Sequence, residues 1–232
     1  MRRVDTSRCL IIFARQPLPG HVKTRLAGEV GVRPATELYA AMLEDVLERA
    51  ACLNGVRVLV FWAMEQGELP RRPAYPHLEM RRQCDGNLGE RMAAAFETAF
   101  AGDIDSCCII GSDSPDLPPE YISRAFLLLE NDQADVIFGP AEDGGYYLVG
   151  MKQLRRRIFE DLAWGGNEVL ESSCQRAREL ELRTALLPVW YDLDTLDDLR
   201  KLAAASGRAP RTRQLLRQTP EILNTPTKES PA

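Results

Sequence analysis

Short apolar runs, each followed by a longer stretch with one apolar and one polar face, recur along nearly the whole chain. The runs fall at 9–14 (CLIIFA), 56–63 (VRVLVFWA), 107–111 (CCIIG), 134–139 (ADVIFG), 146–150 (YYLVG) and 184–189, and each reads as a buried strand. Between them, 34–52 carries Leu38, Met42, Leu43, Val46, Leu47 and Ala50 on one helical stripe, and 88–100 carries Met92, Ala95, Phe96 and Ala99 on another. Further helices are expected from about Pro118 to Glu130, around 152–162, over 167–181 and over 195–205. Such alternation predicts an α/β fold whose sheet is mostly parallel and covered by helices. The 232 residues suit one large domain, assigned to 1–206. Residues 207–232 are expected to form a loosely packed tail with a short helix near Gln214–Arg217. Loops are expected over Arg15–Thr24 and Glu65–Pro76.

Composition narrows the chemistry. Thirty-four acidic side chains against 29 basic ones give a net charge of −5, which disfavours a nucleic-acid polymer as partner. His21 and His77 are the only imidazoles, too few for a His-rich metal site or a His-centred triad. The six cysteines form no CxxC pair, so neither a disulfide framework nor a zinc site is expected, and a reducing cytoplasm is the simplest location. No apolar run approaches the roughly 18 residues of a membrane span, and the run before Arg15 is too short for a signal-peptide core. The work therefore falls to carboxylates.

Three acidic clusters follow predicted strands: Gly111-Ser112-Asp113-Ser114-Pro115-Asp116, Glu142-Asp143-Gly144-Gly145 and Tyr191-Asp192-Leu193-Asp194-Thr195. In open α/β sheets ligands bind at the carboxyl ends of strands. A phosphorylated substrate there calls for a hard divalent cation, Mg²⁺ (or Mn²⁺), held by one or two carboxylates and by the phosphates themselves. Asp113 and Asp194 are the expected metal ligands, and Asp192 is the next candidate. A plainer reading competes. Asp before Pro initiates turns, and Asp-Leu-Asp-Thr followed by Leu-Asp-Asp-Leu, residues 192–199, is partly a helix N-cap pattern. Asp116 and Asp143 stay open between the two.

The loop from Arg15 to Arg25 contains Arg15, Gly20, Lys23, Thr24 and Arg25 and no acid. Backbone N–H groups at a turn together with Lys or Arg donors suit phosphates. The spacing is not that of a P-loop, and no GxGxxG fingerprint occurs in the chain. A solvated basic loop is the bland alternative, but this one follows the first strand, at the same sheet edge as the acids. Arg71-Arg72 and Arg155-Arg156-Arg157 read as solvated faces.

The segments FARQPLPGHVKTRLA, GSDSPDLP, GPAEDGGYYLVG and YDLDTLDDL occur in this order. Together they resemble the DUF2064, or radical-SAM/selenodomain-associated transferase 1, family within the nucleotide-diphospho-sugar transferase superfamily. The likeness spans about 8–203, and Asn87-Leu88-Gly89-Glu90-Arg91-Met92 also looks like that family's helix start. The resemblance implies a single three-layer α/β/α domain of GT-A type with a mixed, mainly parallel sheet. It implies phosphate binding by Arg15, Lys23 and Arg25, metal binding by Asp113 and Asp194, and nucleotide contact or packing by Arg91. Glu142, Asp143, Gly144, Gly145, Tyr146 and Tyr147 would line an acceptor pocket. Trp164-Gly165-Gly166-Asn167-Glu168 departs from the family's Trp-Ser/Thr turn.

The leading expectation is a Mg²⁺-dependent transferase that moves a glycosyl group from a nucleotide-sugar to a small acceptor. Asp113, Asp143 and Lys23 are its expected catalytic residues, with Asp143 or Glu142 as base on the acceptor. A nucleotidyltransferase releasing pyrophosphate from an NTP competes closely, since three loop cations suit a triphosphate. A catalytically silent nucleotide-binding module is the reading from another class; the pairing of two strand-end acids with a basic loop argues against it.

Overall fold

A computed structural model describes residues 7–64 and 67–225. The apolar runs pair into a seven-stranded sheet made of β1 (Arg8–Arg15), β2 (Val56–Ala63), β3 (Glu79–Arg82), β4 (Ser106–Ile110), β5 (Val136–Pro140), β6 (Tyr146–Met151) and β7 (Thr184–Leu186). Their order is β3-β2-β1-β4-β6-β5-β7. β6 runs antiparallel to β4 and β5, and all other pairings are parallel. The carboxyl ends of β1, β2 and β4 therefore share one edge with the amino end of β6.

Alternate strand residues face opposite layers, as the pleat requires. Leu10 and Ile12 pack with Leu43 of α2 (Val32–Ala51) and Phe126 of α4 (Pro119–Glu130). Cys9 and Ile11 pack with Met92 and Phe96 of α3 (Leu88–Phe100), in the layer that α5 (Val169–Glu179) completes. Both faces of the sheet are thus covered, and the fold is the mixed, mainly parallel three-layer α/β architecture. A third apolar cluster lies behind α2, where Leu38 and Met42 meet Leu26 of α1 (Thr24–Val30), Leu199 of α6 (Leu196–Ala204) and Leu216 of α7 (Pro210–Gln218).

Several elements differ from expectation. β3 has the sequence EMRR and no apolar run; it is an edge strand, and Glu79 is held by Arg57 at 2.6 Å and Arg81 at 2.7 Å. The helix expected around 152–162 is a single 3-10 turn at Arg156–Phe159, which tucks Ile158 and Phe159 against Phe96 and its neighbours. Arg72 is packed rather than solvated: its guanidinium pairs with Glu44 at 2.7 Å and lies over the Trp62 ring. Glu65 and Gln66, the first residues of the expected loop, lie outside the described residues, as do 226–232 of the expected tail. No helix of the described residues is long and apolar enough to cross a membrane.

The expectation of loose packing fails for 210–218. α7 begins after Ala209, whose side chain cannot cap and whose φ is +61°. The cap comes from α2 instead. The buried Asp45 carboxylate accepts from the backbone N–H of Arg211 (2.9 Å) and Thr212 (2.8 Å) and from the Thr212 hydroxyl (2.7 Å). Removing it leaves the two buried Thr212 donors and the half-buried Arg211 N–H without their acceptor. Asp45→Ala is expected to lower unfolding stability by about 2–4 kcal/mol, read from urea denaturation.

Candidate functional site

At the carboxyl ends of β1 and β4 opens a cavity of about 470 Å³. Its walls come from the loop after β1 (Arg15, Lys23, Arg25), the turn after β4 (Ser112, Asp113), the start of α3 (Leu88, Arg91), the start of β6 (Tyr146) and the segment before α6 (Asp192, Asp194). Chain regions far apart in sequence thus meet at one sheet edge, as strand order dictates.

The centre of the cavity is an ion-pair triad. Lys23 Nζ lies 2.5 Å from Asp113 Oδ1 and 2.7 Å from Asp194 Oδ1, and the lysine side chain is only 2% exposed. Burial by itself pushes this ammonium towards neutrality, but the two carboxylates outweigh it and hold its pKa above the ordinary lysine value. Lys23 caps α1 from the left-handed region (φ 47°, ψ 47°), which is uncommon for a residue with a Cβ. That conformation persists because the ion pairs fix the side chain.

The acids are held by backbone as well as by charge. The Asp113 carbonyl accepts from the N–H of Leu193 at 2.9 Å, tying the turn after β4 to the 191–195 segment. Thr195 caps α6, and Asp198 closes the reciprocal capping box. The N-cap reading of that sequence and the ligand reading of Asp194 are therefore compatible, since Asp194 stands one residue before the cap. Asp192 is more deeply set and accepts from Ser114 Oγ at 2.6 Å. Its carboxyl is pushed up to about 6, first by burial and then by the Asp113 charge. Between pH 4 and 6 the folded state then binds more protons than the unfolded chain, whose aspartates titrate near 3.9. Stability from this group is full below pH 4 and lost as pH rises through 6. In EDTA the wild type is expected to lose about 1–2 kcal/mol between pH 5 and 7.5 that Asp192→Asn does not lose, measured by denaturant titration.

Several residues of the site carry no signal in the motifs. Tyr39 sits on the buried stripe of α2, accepts from the Arg15 backbone N–H at 2.9 Å and shares a 2.9 Å hydrogen bond with Ser112 Oγ, so one phenol couples the basic loop to the turn after β4. Burial, followed by the Asp113 charge, raises its pKa. Arg49, in the last turn of α2, donates to the carbonyls of Ser114 (3.3 Å) and Pro115. Burial lowers its guanidinium pKa to about 10. A hydroxyl or a cation on an otherwise apolar helix face is the available hint for both.

The other expected residues divide. Thr24, Arg25 and Arg91 line the cavity; Gly20, in the turn of the basic loop at φ +81°, is not in its wall. Arg91 donates to Gln83 Oε1 at 3.1 Å, and burial together with the nearby Arg15 charge lowers its pKa. Asp116 serves packing: it accepts from Tyr191 Oη (2.6 Å) and Trp190 Nε1 (3.3 Å). Of the expected acceptor residues Tyr146 and Tyr147 line the cavity, and the Tyr146 hydroxyl is buried. Glu142 pairs with Lys201 at 2.9 Å, and Asp143 accepts from the N–H of Gly145 in its own turn. The structure does not bring Glu142, Asp143, Gly144 and Gly145 to the cavity wall, because β6 lies between β4 and β5. Gly144 instead meets the Trp-Gly-Gly-Asn turn: a Cβ placed on it would stand 1.9 Å from the Asn167 carbonyl oxygen.

Asp113 and Asp194 suit a hard cation. They offer carboxylate oxygens from side chains 44% and 40% exposed on the cavity, and Mg²⁺ or Mn²⁺ prefers such donors. Among the described residues no group of three or more His, Cys, Asp or Glu is arranged to hold a metal. A cation here would take two protein carboxylates and complete its shell with water and substrate oxygens.

The family model described as "Uncharacterized protein conserved in bacteria (DUF2064)" matches residues 46–166. A Desulfovibrio desulfuricans G20 protein with the provisional designation nucleotide-diphospho-sugar transferase is 32% identical over 94% of this chain and 97% of its own, with a TM-score of 0.87. At the level of fold alone, 4-diphosphocytidyl-2C-methyl-D-erythritol synthase matches 91% of this chain and 98% of its own at 15% identity, TM-score 0.55. CMP:2-keto-3-deoxy-manno-octonic acid synthetase, solved with CTP, matches 91% and 99% at 16% identity, TM-score 0.52. No match is found among curated proteins. The chain therefore belongs to the DUF2064 family and has the nucleotide-diphospho-sugar transferase fold.

Proposed function

We propose that this chain is a divalent-cation-dependent transferase that accepts a nucleotide-sugar, passes the glycosyl group to a small acceptor and releases a nucleoside diphosphate. The observation that carries the reading is the Lys23–Asp113–Asp194 triad in a cavity lined by Arg15, Arg25 and Arg91. Asp113 and Asp194 hold the cation, Mg²⁺ or Mn²⁺. The cation supplies charge neutralisation at the departing phosphate. Arg15 and Arg25 bind phosphate oxygens from the rim, and Gly20 and Thr24 shape the loop that carries them. Arg91 contributes a further guanidinium from α3. Fixed cations of this kind act without reorganising as charge develops. The provisional designation of the Desulfovibrio relative supports the same donor class. Asp143 is left without a catalytic role, because its carboxylate stays in its own turn.

A second reading, nucleotidyl transfer with release of pyrophosphate, is favoured by the charge around the cavity. Lys23, Arg15 and Arg25 from the loop after β1 and Arg91 from α3 give four cationic side chains around the cavity, which suits a triphosphate better than a diphosphate. The purified protein, Mg²⁺ and a panel of NTPs and nucleotide-sugars separate the two. Nucleoside diphosphate from a nucleotide-sugar supports glycosyl transfer. Pyrophosphate formed from an NTP only when a second substrate is present replaces it with the second reading. A location in the cytoplasm fits either reaction.

A further inference from the structure

We propose that Lys23 is a placeholder cation, occupying the seat of the divalent ion in the free protein and leaving it only when nucleotide phosphates arrive. The inference rests on the metal-dependent reading above and concerns the order in which ligands bind. Its basis is geometric. One ammonium bridges Asp113 Oδ1 and Asp194 Oδ1 at 2.5 and 2.7 Å, and its side chain is 2% exposed, so no water layer separates it from either acid. A divalent cation held by Asp113 and Asp194 would compete with Lys23 for the same two oxygens.

The buried lysine has few alternatives. Its backbone is fixed in the left-handed region, and Asp113 is anchored through its carbonyl to Leu193. A divalent ion arriving alone would compete with the ammonium for Asp113 and Asp194 and leave a buried cation short of partners, which is costly. Nucleotide phosphates change that balance. They offer Lys23 new oxygens in the same cavity and supply the negative charge that two adjacent cations need. Lys23 is thereby a positioning residue: it offsets the repulsion between the two acids and holds them preorganised, and it couples metal entry to nucleotide entry.

The full-length protein is titrated with Mn²⁺ and the free ion is followed by electron paramagnetic resonance, with and without a panel of NTPs and nucleotide-sugars, against protein-free controls for Mn²⁺ bound by each nucleotide alone. Wild type is expected to bind Mn²⁺ weakly alone and at least tenfold tighter with the preferred nucleotide. Lys23→Met is expected to bind Mn²⁺ alone at least tenfold tighter than wild type, with weaker nucleotide binding. No gain of Mn²⁺ affinity in Lys23→Met overturns the placeholder role. If, in addition, neither protein binds Mn²⁺ with any nucleotide, the metal-dependent reading falls too; if nucleotide restores binding, that reading stands and only the placeholder is lost. Lysine ¹⁵Nζ NMR on the wild type tests the same point without a substitution. The Lys23 ammonium signal is expected to persist with Mg²⁺ alone and to move only when Mg²⁺ and nucleotide are both present. A shift with Mg²⁺ alone overturns the proposal.

Discussion

Asp113→Asn is expected to lower turnover of the transfer reaction by about 10²–10³-fold while leaving the fold intact. The carboxylate stands at the end of β4, in a turn pinned by Leu193, and its Oδ1 is the nearer of the two oxygens around Lys23 Nζ. Asparagine keeps the size and one oxygen but removes the charge that would hold the proposed cation. Asp194 remains to pair the buried ammonium, so the large loss should appear in kcat and not in stability. Phosphate-product release measured alongside the thermal midpoint checks both halves. A turnover within threefold of wild type would remove Asp113 from the chemistry. A matching collapse of the midpoint would instead show that the triad holds the fold.

Gly144→Ala is expected to be the most destabilising single-methyl change in the chain, at about 3–4 kcal/mol. Two costs combine. The φ of Gly144 is +88°, a region unfavourable to any side chain, and the new Cβ would fall 1.9 Å from a backbone oxygen of Asn167. A backbone atom cannot rotate away, so the turn at 164–168 must shift and the hydrogen bond from Leu170 N–H to the Gly144 carbonyl (3.0 Å) is put at risk. Gly20 supplies the control: its φ is +81°, but nothing lies within 4 Å of the place a methyl would take, so Gly20→Ala should cost only about 1–2 kcal/mol. Urea unfolding of the two variants side by side separates close approach from backbone conformation.

The parts of this protein legible from sequence are those in which one segment settles the matter. Runs such as CLIIFA and CCIIG are apolar throughout because both faces of a central strand are covered, and no other soluble element wants that pattern. The stripe of α2 and the capping box of α6 are equally local. β3 escapes such patterns because an edge strand satisfies only one neighbour and pairs its charges in place, so EMRR looks like loop. The helix near Gln214–Arg217 is legible, but the start and close packing of α7 are not, because its cap, Asp45, is 166 residues away in sequence.

The site divides in the same way. Position after a buried strand marks Asp113, and charge marks the loop from Arg15 to Arg25. The same rule marks Glu142 and Asp143, which also follow a strand. Strand order separates the cases: β1 and β4 are neighbours, whereas β6 intervenes before β5, and the 142–145 cluster sits in the turn joining those two strands. Sequence alone determined that carboxylates and cations would gather at strand ends, since burial of the strands leaves polar groups no other place. Tertiary structure alone decided which of them meet. The contact of Lys23 with Asp194 spans 171 residues, and no local pattern encodes a distance of 2.7 Å between them.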